Sequence, residues 1–386
     1  MTATILAAAA AAIWFYLIAL RGGFWRQVQP PAGGGAAAAS SVVAVIPARD
    51  EAASIGAAVA SLLAQRYAGG FRIVVVDDHS SDGTAAIARE AAATAGAAEL
   101  LTVVAAPPLP AGWTGKLWAM RHGIDVARRF LPDYLLLTDA DILHPPHNLA
   151  DLVSRARAGG WDLVSLMVRL NCRSAWEHLL IPAFVFFFFK LYPPRWVADR
   201  RSSVAAAAGG CMLVRRAALD RIGGVDSIRH ELIDDCALAR RLKAHGPIWL
   251  GAAPTGPEGA ARSLREYRSW RPIWDMIARC AFAQLGYSAP ALVATVVLMG
   301  VIYVAPPLLV ALGPMPARLF AGAAWALMSL AYLPLLRRYE CSPLRAPLLP
   351  LAALFYTAAT VGSAIQYWRG RGGRWKGRVQ AARAEG

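Results

Sequence analysis

The sequence predicts an α/β domain with a mostly parallel sheet, carried between N- and C-terminal transmembrane helices. Three observations lead to this fold class. Short β-branched runs alternate with helical stretches over residues 42–279, the pattern of strands joined by crossover helices. Hydrophobic residues make up 57% of the chain and charged residues only 17%, a composition too apolar for an ordinary soluble protein. Long uncharged runs lie at both ends of the chain.

The N-terminal apolar run covers residues 3–20, about the minimum length of a spanning helix. No basic residue precedes it, which is not the pattern of a cleaved signal peptide. Arg21 and Arg26 follow it directly, so the positive-inside rule places the next domain in the cytoplasm. The sequence therefore predicts an anchor over residues 1–21 and a Pro/Gly/Ala-rich linker over residues 22–41.

The predicted domain, residues 42–279, alternates strands with helices. Its strands are residues 42–46, 73–76, 101–104 and 134–137, and its helices are residues 51–65, 84–95 and 117–130. Pro47 is expected to stop the first strand. A run of phenylalanines within residues 181–194 is too short to span a membrane. Both a buried core helix and an interfacial segment fit this run.

The C-terminal membrane region, residues 288–368, contains three apolar blocks of nearly spanning length: residues 290–312, 318–336 and 347–368. Residues 369–386 form a basic tail that the positive-inside rule places in the cytoplasm. One N-terminal and three C-terminal crossings would place that tail outside. Either one block is re-entrant or interfacial, with Pro347 and Pro350 pointing to the last block, or the charge rule fails here.

The net charge of +15 could indicate nucleic-acid binding, but the arginines lie mainly beside apolar segments. This placement favours a membrane surface as the partner, and no nucleic acid is expected to bind. The five cysteines are scattered and include no C-x-x-C pair. They predict reduced, mostly buried thiols of a cytoplasmic-facing domain and no zinc site.

Polar clusters follow three of the predicted strands, at residues 47–51, 77–84 and 138–141. Ligands bind at the carboxyl ends of strands in open α/β sheets. Any one cluster alone could be a turn with a helix cap, as the Asp-Gly-Thr at residues 82–84 illustrates. Asp139 and Asp141 are two residues apart, so in extended backbone their carboxylates point the same way. Such a pair predicts a Mg²⁺ or Mn²⁺ site shared with substrate phosphates.

Further candidates lie on either side of this pair. Lys116 follows a Gly-Trp-Thr-Gly turn at a helix start and is suited to a diphosphate, although a P-loop pattern is absent. His144 and His147 are interpreted as loop residues rather than ligands. Asp234 and Asp235 follow a Gly209-Gly210 pair and could supply a general base. A helix N-cap with first-turn acids explains the same two aspartates.

With these motifs placed, the sequence resembles the family 2 glycosyltransferases with a GT-A fold. It looks most like the hopanoid-biosynthesis-associated subfamily, related to ceramide glucosyltransferase-like enzymes. The resemblance covers nearly the whole chain and is carried by V-I-P-A-R-D-E, V-V-D-D-H-S-S-D-G-T, G-W-T-G-K-L-W-A, T-D-A-D and the Asp234-Asp235 pair. Asp234 stands where the family usually has Glu.

The resemblance implies roles for these residues. A nucleotide sugar, foremost a UDP-sugar, would be contacted by Pro47, Arg49, Glu51, Asp78, Lys116 and Asp139. Asp139 and Asp141 would hold the metal, and Asp235 would be the general base. Candidates for diphosphate or acceptor contacts are Asp234, Gly210, Trp270, Lys376 and Arg378.

The implied activity is the metal-dependent, inverting transfer of one sugar to a hydroxyl of a membrane lipid, with a hopanoid as the expected acceptor. The enzyme would be a multi-pass protein of the inner (cytoplasmic) membrane with a cytoplasmic catalytic domain. One alternative is a processive polysaccharide synthase, but the Q-x-x-R-W motif of such enzymes is incomplete at residues 265–270. Another is a non-catalytic membrane scaffold that keeps a nucleotide-binding fold.

Overall fold

A computed structural model of the chain describes residues 1–26, 40–255 and 259–373. The chain divides into two compact units. The sheet unit comprises Val28–Asn171 and Trp196–Arg265, and the helical unit comprises Met1–Gln27, Cys172–Arg195 and Glu266–Gly386. Within the predicted domain range 42–279, residues 172–195 and 266–279 therefore belong to the helical unit.

The strands all lie in the sheet unit. They are β1 Val42–Ala48, β2 Phe71–Asp77, β3 Leu101–Ala105, β4 Tyr134–Thr138, β5 Ile142–Leu143, β6 Leu163–Met167, β7 Cys211–Arg215, β8 Ile248–Ala252 and β9 Arg262–Ser263. In the described residues, seven of them form one sheet in the order β3-β2-β1-β4-β7-β6-β8, and β5 pairs with β9. Strand β7 runs antiparallel to both neighbours, whereas the other pairs in the sheet are parallel. The mostly parallel sheet expected from the sequence is confirmed.

The helices in chain order are α1 Thr2–Ala19, α2 Ile55–Leu63, α3 Thr84–Thr94, α4 Gly115–Arg128, α5 Asn148–Ala158, α6 Ala175–Leu191, α7 Pro194–Ala198, α8 Arg216–Arg221, α9 Asp234–Lys243, α10 Trp270–Ala278, α11 Ala281–Gln284, α12 Ala289–Met299, α13 Ala305–Leu312, α14 Met315–Arg338 and α15 Leu349–Trp368. In the sheet unit, α2 and α5 cover one face of the sheet and α4 packs on β1 and β2. A Cβ on Gly123 of α4 would lie 2.5 Å from Val45 Cγ1. Glycine is therefore required for this close approach of helix to sheet.

Pro47 lies inside β1 and does not stop it, so this part of the prediction is wrong. Strand β1 pairs with β2 through Ala48, but its pairing with β4 ends at Val45. Proline lacks an N–H and is tolerated where a strand has lost a neighbour. The strand thus continues past the proline along β2 alone and carries Arg49 to the edge of the sheet.

The helical unit contains four segments that are long enough and apolar enough to cross a membrane, within the part of the chain that the structure describes. They are Thr2–Ala19, Ala289–Leu312, Met315–Arg338 and Pro343–Trp368. They match the four apolar blocks expected from the sequence. The predicted fold class, an α/β domain with apolar helices at both ends, is therefore confirmed.

The phenylalanine run lies in α6 and packs within the helical unit. The Phe186 ring lies 5.3 Å from the rings of both Phe24 and Tyr332, and the Phe187 ring lies 5.5 Å from that of Tyr303. Aromatic pairs at these separations stabilise a packed interior. Of the two interpretations, the buried helix fits these contacts, and an interfacial position for residues 181–194 stays a prediction.

Candidate active site

The loops that follow β1 and β2 are held together by Arg49. Its Nη1 donates to the carbonyl oxygen of Asp78 at 2.8 Å and lies 3.5 Å from the Asp78 carboxylate. The Asp78 side chain is only 2% exposed, so a charged partner is needed to compensate for its burial. Two predicted nucleotide-binding residues, Arg49 and Asp78, are therefore in direct contact.

A second set of hydrogen bonds fixes the same two loops. The Glu51 N–H donates to Thr84 Oγ1 at 2.8 Å, and the Ala52 N–H donates to Asp82 Oδ2 at 2.9 Å. Asp50 and His79 adopt positive φ angles of 49° and 56°, a region that residues other than glycine seldom occupy. Such backbone strain is concentrated at functional sites in proteins. The loops thus form a defined rim at the carboxyl ends of β1 and β2.

Asp141, the second aspartate after β4, is clamped from the segment around β9. Ser263 Oγ donates to Asp141 Oδ2 at 2.6 Å, and Arg265 Nε lies 3.5 Å from the same oxygen. Arg265 also pairs with Glu51 Oε1 at 2.8 Å. One guanidinium therefore connects the carboxylate after β4 with the loop after β1. No pattern in the sequence points to Ser263, and Arg265 stands out only as part of an incomplete processive motif.

Lys116 lies between acids that are distant in sequence. Its Nζ is 3.0 Å from Asp139 Oδ1 and 3.1 Å from Asp234 Oδ2. Burial alone would lower the lysine pKa, but the charges of Asp139, Asp234 and Asp235 raise it instead. The ammonium therefore stays protonated and joins the end of β4 to the start of α9.

The pKa of Asp139 depends on the charges around it. The pKa of Asp139 is raised by burial, opposed by the ammonium of Lys116, and raised further by the negative charge of Asp141. Two carboxylates two residues apart thus repel each other, and a cation bound between them would relieve this repulsion. Within the described residues, Asp139 Oδ2 and Asp141 Oδ1 accept no hydrogen bond and form no ion pair. These oxygens are available as hard ligands.

Asp235 is held at a fixed orientation by backbone donors. Gly209 N–H donates to Oδ2 at 2.9 Å, and Cys236 N–H donates to Oδ1 at 2.7 Å. A Cβ on Gly209 would lie 3.3 Å from that Oδ2 and 3.6 Å from Lys116 Nζ. Burial and the charge of Asp234 raise the pKa of Asp235 to about 6, against the opposing effects of Lys116 and the backbone donors. A carboxylate with a pKa near the working pH is suited to accept a proton.

The other candidates fall into different surroundings. Gly210 lies against apolar side chains, since a Cβ there would be 3.1 Å from Val168 Cγ2. Trp270 begins α10 in the helical unit and is 39% exposed. Lys376 and Arg378 lie outside the described residues. Gly209 contacts Asp235 directly, whereas the Gly210 carbonyl accepts a hydrogen bond from Thr138 Oγ1 at 2.7 Å, and the role of Gly210 stays a prediction.

His144 is a structural residue of the sheet unit. Its Nε2 lies 3.0 Å from Thr138 Oγ1, and its Nδ1 accepts a hydrogen bond from Asn148 Nδ2 at 2.9 Å. Burial lowers its pKa to about 4, so the imidazole is neutral. Both ring nitrogens are engaged within the protein, which agrees with the interpretation of His144 as a non-ligand.

Residues 39–250, more than half of the chain, match the sequence model of a family described as "Glycosyltransferase like family 2". No curated protein matches the chain.

A solved mannosyltransferase structure has a similar fold. The mannosyltransferase PcManGT from Pyrobaculum calidifontis, in complex with GDP-Man and Mn²⁺, is 20% identical with a TM-score of 0.57, over 94% of this chain and 98% of that chain. Glucosyl-3-phosphoglycerate synthase from Mycobacterium tuberculosis, in complex with phosphoglyceric acid, is 19% identical with a TM-score of 0.41, over 67% of this chain and 86% of that chain. The likeness to the mannosyltransferase, together with the family match, confirms the predicted GT-A fold.

Proposed function

We propose that this chain, which belongs to the glycosyltransferase like family 2, transfers one sugar from a nucleotide sugar to a hydroxyl of a membrane lipid, with inversion at the anomeric carbon. Its family makes the chain a glycosyltransferase. The finer proposal rests on one observation, the convergence of Asp139 and Asp234 on Lys116 beside an oriented Asp235. This arrangement provides a basic group for a diphosphate and a carboxylate base in one cluster.

Asp139 and Asp141 are proposed to hold a divalent cation, Mg²⁺ or Mn²⁺. Their uncommitted carboxylate oxygens and mutual repulsion fit a hard ion. When bound, such an ion neutralises charge on the diphosphate leaving group. The similar mannosyltransferase structure contains Mn²⁺ and GDP-Man, which is consistent with this assignment.

The nucleotide is proposed to bind along the rim formed by the loops after β1 and β2. Arg49 and Asp78 are fixed on each other there, and Glu51 is fixed by Arg265. Acidic side chains at strand ends can accept hydrogen bonds from ribose hydroxyls or base N–H groups. Pro47 brings Arg49 to this rim. The Lys116 ammonium would then face the diphosphate of the nucleotide sugar rather than its nucleobase.

Asp235 is proposed to remove the proton from the acceptor hydroxyl. The freed oxygen would attack the anomeric carbon in line with the leaving diphosphate, which gives inversion. The two backbone N–H donors keep the carboxylate oriented. Lys116 and Asp234 set its proton affinity, the first by lowering and the second by raising its pKa.

A lipid acceptor is favoured by the four segments able to cross a membrane. A chain anchored in this way stays at a bilayer, where lipid hydroxyls are concentrated. The sequence resemblance supports a hopanoid as the acceptor. Arg21 and Arg26 after α1 support an inner-membrane enzyme with its sheet unit in the cytoplasm.

The pH dependence of the reaction is expected to report Asp235. Below a pH of about 6 the carboxyl is protonated and cannot act as a base, so kcat/KM should rise as pH increases through about 6. Asp234→Asn removes a charge that raises this pKa and should move the acid limb to lower pH. Initial rates measured across the pH range at saturating metal would show this shift of the acid limb. Asp125→Asn, on the exposed side of α4, should leave the limb in place, and an unmoved limb in Asp234→Asn would argue against Asp235.

Chelation is expected to abolish transfer, and added Mn²⁺ or Mg²⁺ should restore it. Asp139→Asn should raise the metal concentration needed for half-maximal activity by about 10–100-fold, because one charged ligand is lost. Asp133→Asn, just before the other end of β4, is the matched control and should titrate as the wild type does. Full activity in EDTA would contradict the proposed metal site.

The acceptor is tested directly with membranes that contain the chain. They are incubated with labelled UDP- or GDP-sugars and either a hopanoid alcohol or a water-soluble sugar acceptor. The proposal predicts a labelled lipid that carries one sugar and does not form with Asp235→Asn. A long water-soluble polymer would favour a processive synthase instead. Absence of any labelled product, with nucleotide binding intact, would favour a non-catalytic scaffold.

A further inference from the structure

Two cysteines and a histidine converge in the helical unit, although the sequence predicts no zinc site. Cys172 precedes α6, His178 lies in the first turns of α6, and Cys341 follows α14. One potential ligand atom from each residue lies within 4.8 Å of the others. The two sulfur atoms are 3.8 Å apart. The residues therefore bring two Sγ atoms and one imidazole nitrogen to a common point.

The sulfur separation excludes a disulfide and is compatible with a shared ion. Two thiolates each about 2.3 Å from a Zn²⁺ ion, at the tetrahedral angle, lie about 3.8 Å apart. Bonded sulfur atoms would be about 2.05 Å apart. The two thiols are in hydrogen-bond contact at 3.8 Å, which is too long for a disulfide and is also the spacing that two thiolates on one zinc ion would adopt.

The N-terminal part of the cluster is rigid. Ser174 caps α6, and the Glu177 carboxylate accepts hydrogen bonds from the backbone N–H groups of Arg173, Ser174 and Tyr267. This capping box fixes the turn that carries Cys172 and His178. Because the Glu177 carboxylate is already occupied by three donors, it does not compete as a ligand.

The C-terminal part is fixed by the end of α14. Cys341 N–H donates to Leu336 O at 2.9 Å, and Glu340 N–H donates to Arg337 O at 3.0 Å. With Glu340 at a φ of +56°, these bonds form a Schellman motif. The motif directs the chain that follows the helix and places Cys341 at a defined position. Both halves of the cluster are thus preorganised, as a metal site requires.

Charge and exposure also fit an ion. Two thiolates, one neutral imidazole and Zn²⁺ have no net charge, so binding would leave no uncompensated charge beside the apolar helices. Cys341 is buried, whereas Cys172 and His178 are half-buried. Three protein ligands leave a fourth position for water or another ligand. Sulfur donors select zinc over the hard ions suited to Asp139 and Asp141.

The geometry points to a Zn²⁺ site formed by Cys172, His178 and Cys341. Binding replaces the two thiol protons, which are released to solvent, by two Zn–S bonds. The ion would link positions 172 and 341, which are 169 residues apart in sequence. Its role would be to tie the start of α6 to the end of α14.

The test uses the full chain in mild detergent, stripped of metal under reducing conditions and reloaded with Co²⁺ or Zn²⁺. We expect about one ion per chain, with thiolate-to-cobalt charge-transfer absorption that Zn²⁺ displaces. Cys172→Ser, Cys341→Ser and His178→Gln should each weaken binding by at least tenfold. Cys280→Ser, a half-buried cysteine of the same unit outside the cluster, should bind as the wild type does. Equal cobalt spectra in wild type and Cys341→Ser would overturn the site.

A second measurement needs no variant. Zn²⁺ should protect Cys172 and Cys341, but not Cys280, from alkylation, as mapped by mass spectrometry. It should also raise the Tm of the stripped protein. Equal alkylation of Cys172 and Cys341 with and without Zn²⁺ would overturn the proposal. The proposal would also be overturned if the freshly isolated chain contained a Cys172–Cys341 disulfide.

Discussion

Asp235→Asn is expected to lower kcat for sugar transfer by about 10²–10⁴-fold, the usual contribution of a general base. Nucleotide-sugar binding should persist, because Asp235 is assigned to the acceptor and not to the donor. Transfer is measured with labelled nucleotide sugar, and donor binding is measured by calorimetry on the same preparation. A variant that turns over within a few-fold of wild type while folded would remove Asp235 from the mechanism.

The folding of this variant needs its own control. Both Asp235 oxygens accept backbone N–H bonds, and asparagine can replace only one of them. A loss of about 1–3 kcal/mol in the free energy of unfolding is expected for the unsatisfied donor. Asp226→Asn, with a half-exposed side chain paired with Arg121, should change neither kcat nor Tm appreciably. A large fall in kcat, measured at a temperature well below the lowered Tm of the variant, would isolate the chemical effect.

Lys116→Met is expected to reduce kcat by about 10²–10³-fold, the cost of removing one positioned electrostatic group. It also has a signature that a purely structural role would not produce. The ammonium lowers the pKa of Asp235, so its removal should move the acid limb of kcat/KM to higher pH by about one unit. The pH profiles of wild type and variant would be compared at saturating metal.

Lys116→Arg is the matched control for charge. It keeps a cation near Asp139 and Asp234 but changes its reach and hydrogen-bonding geometry. Its acid limb should stay near that of the wild type even if kcat falls. A limb that stays unmoved in Lys116→Met would mean that Lys116 does not act on Asp235, and the electrostatic account of the cluster would fail.

Much of the fold could be predicted because its signals are local. The β-branched runs before the polar clusters indicated β1, β2 and β4, and the apolar blocks indicated the four candidate spans. Pro47 misled the prediction because proline stops a strand only where a ladder bond is needed, and at that point β1 pairs with β2 alone. The sequence cannot show which neighbour a strand has lost.

The candidate site was predicted in its residues but not in its contacts. Strand ends placed Asp139 and Asp141 at one edge of the sheet, since parallel strands share that edge. The pairing of Lys116 with Asp234 and the clamp of Ser263 and Arg265 on Asp141 arise only from the folded chain. The same is true of Cys172 and Cys341, which no spacing pattern connects. Long-range pairs of this kind leave no periodic signal in one sequence.

If Asp235 activates an acceptor hydroxyl for in-line displacement of the diphosphate, the reaction inverts the anomeric carbon. Proton NMR on the lipid made from a nucleotide sugar of known configuration measures the anomeric configuration of the product. We expect a product of opposite anomeric configuration to the donor. A product that retains the donor configuration would contradict it.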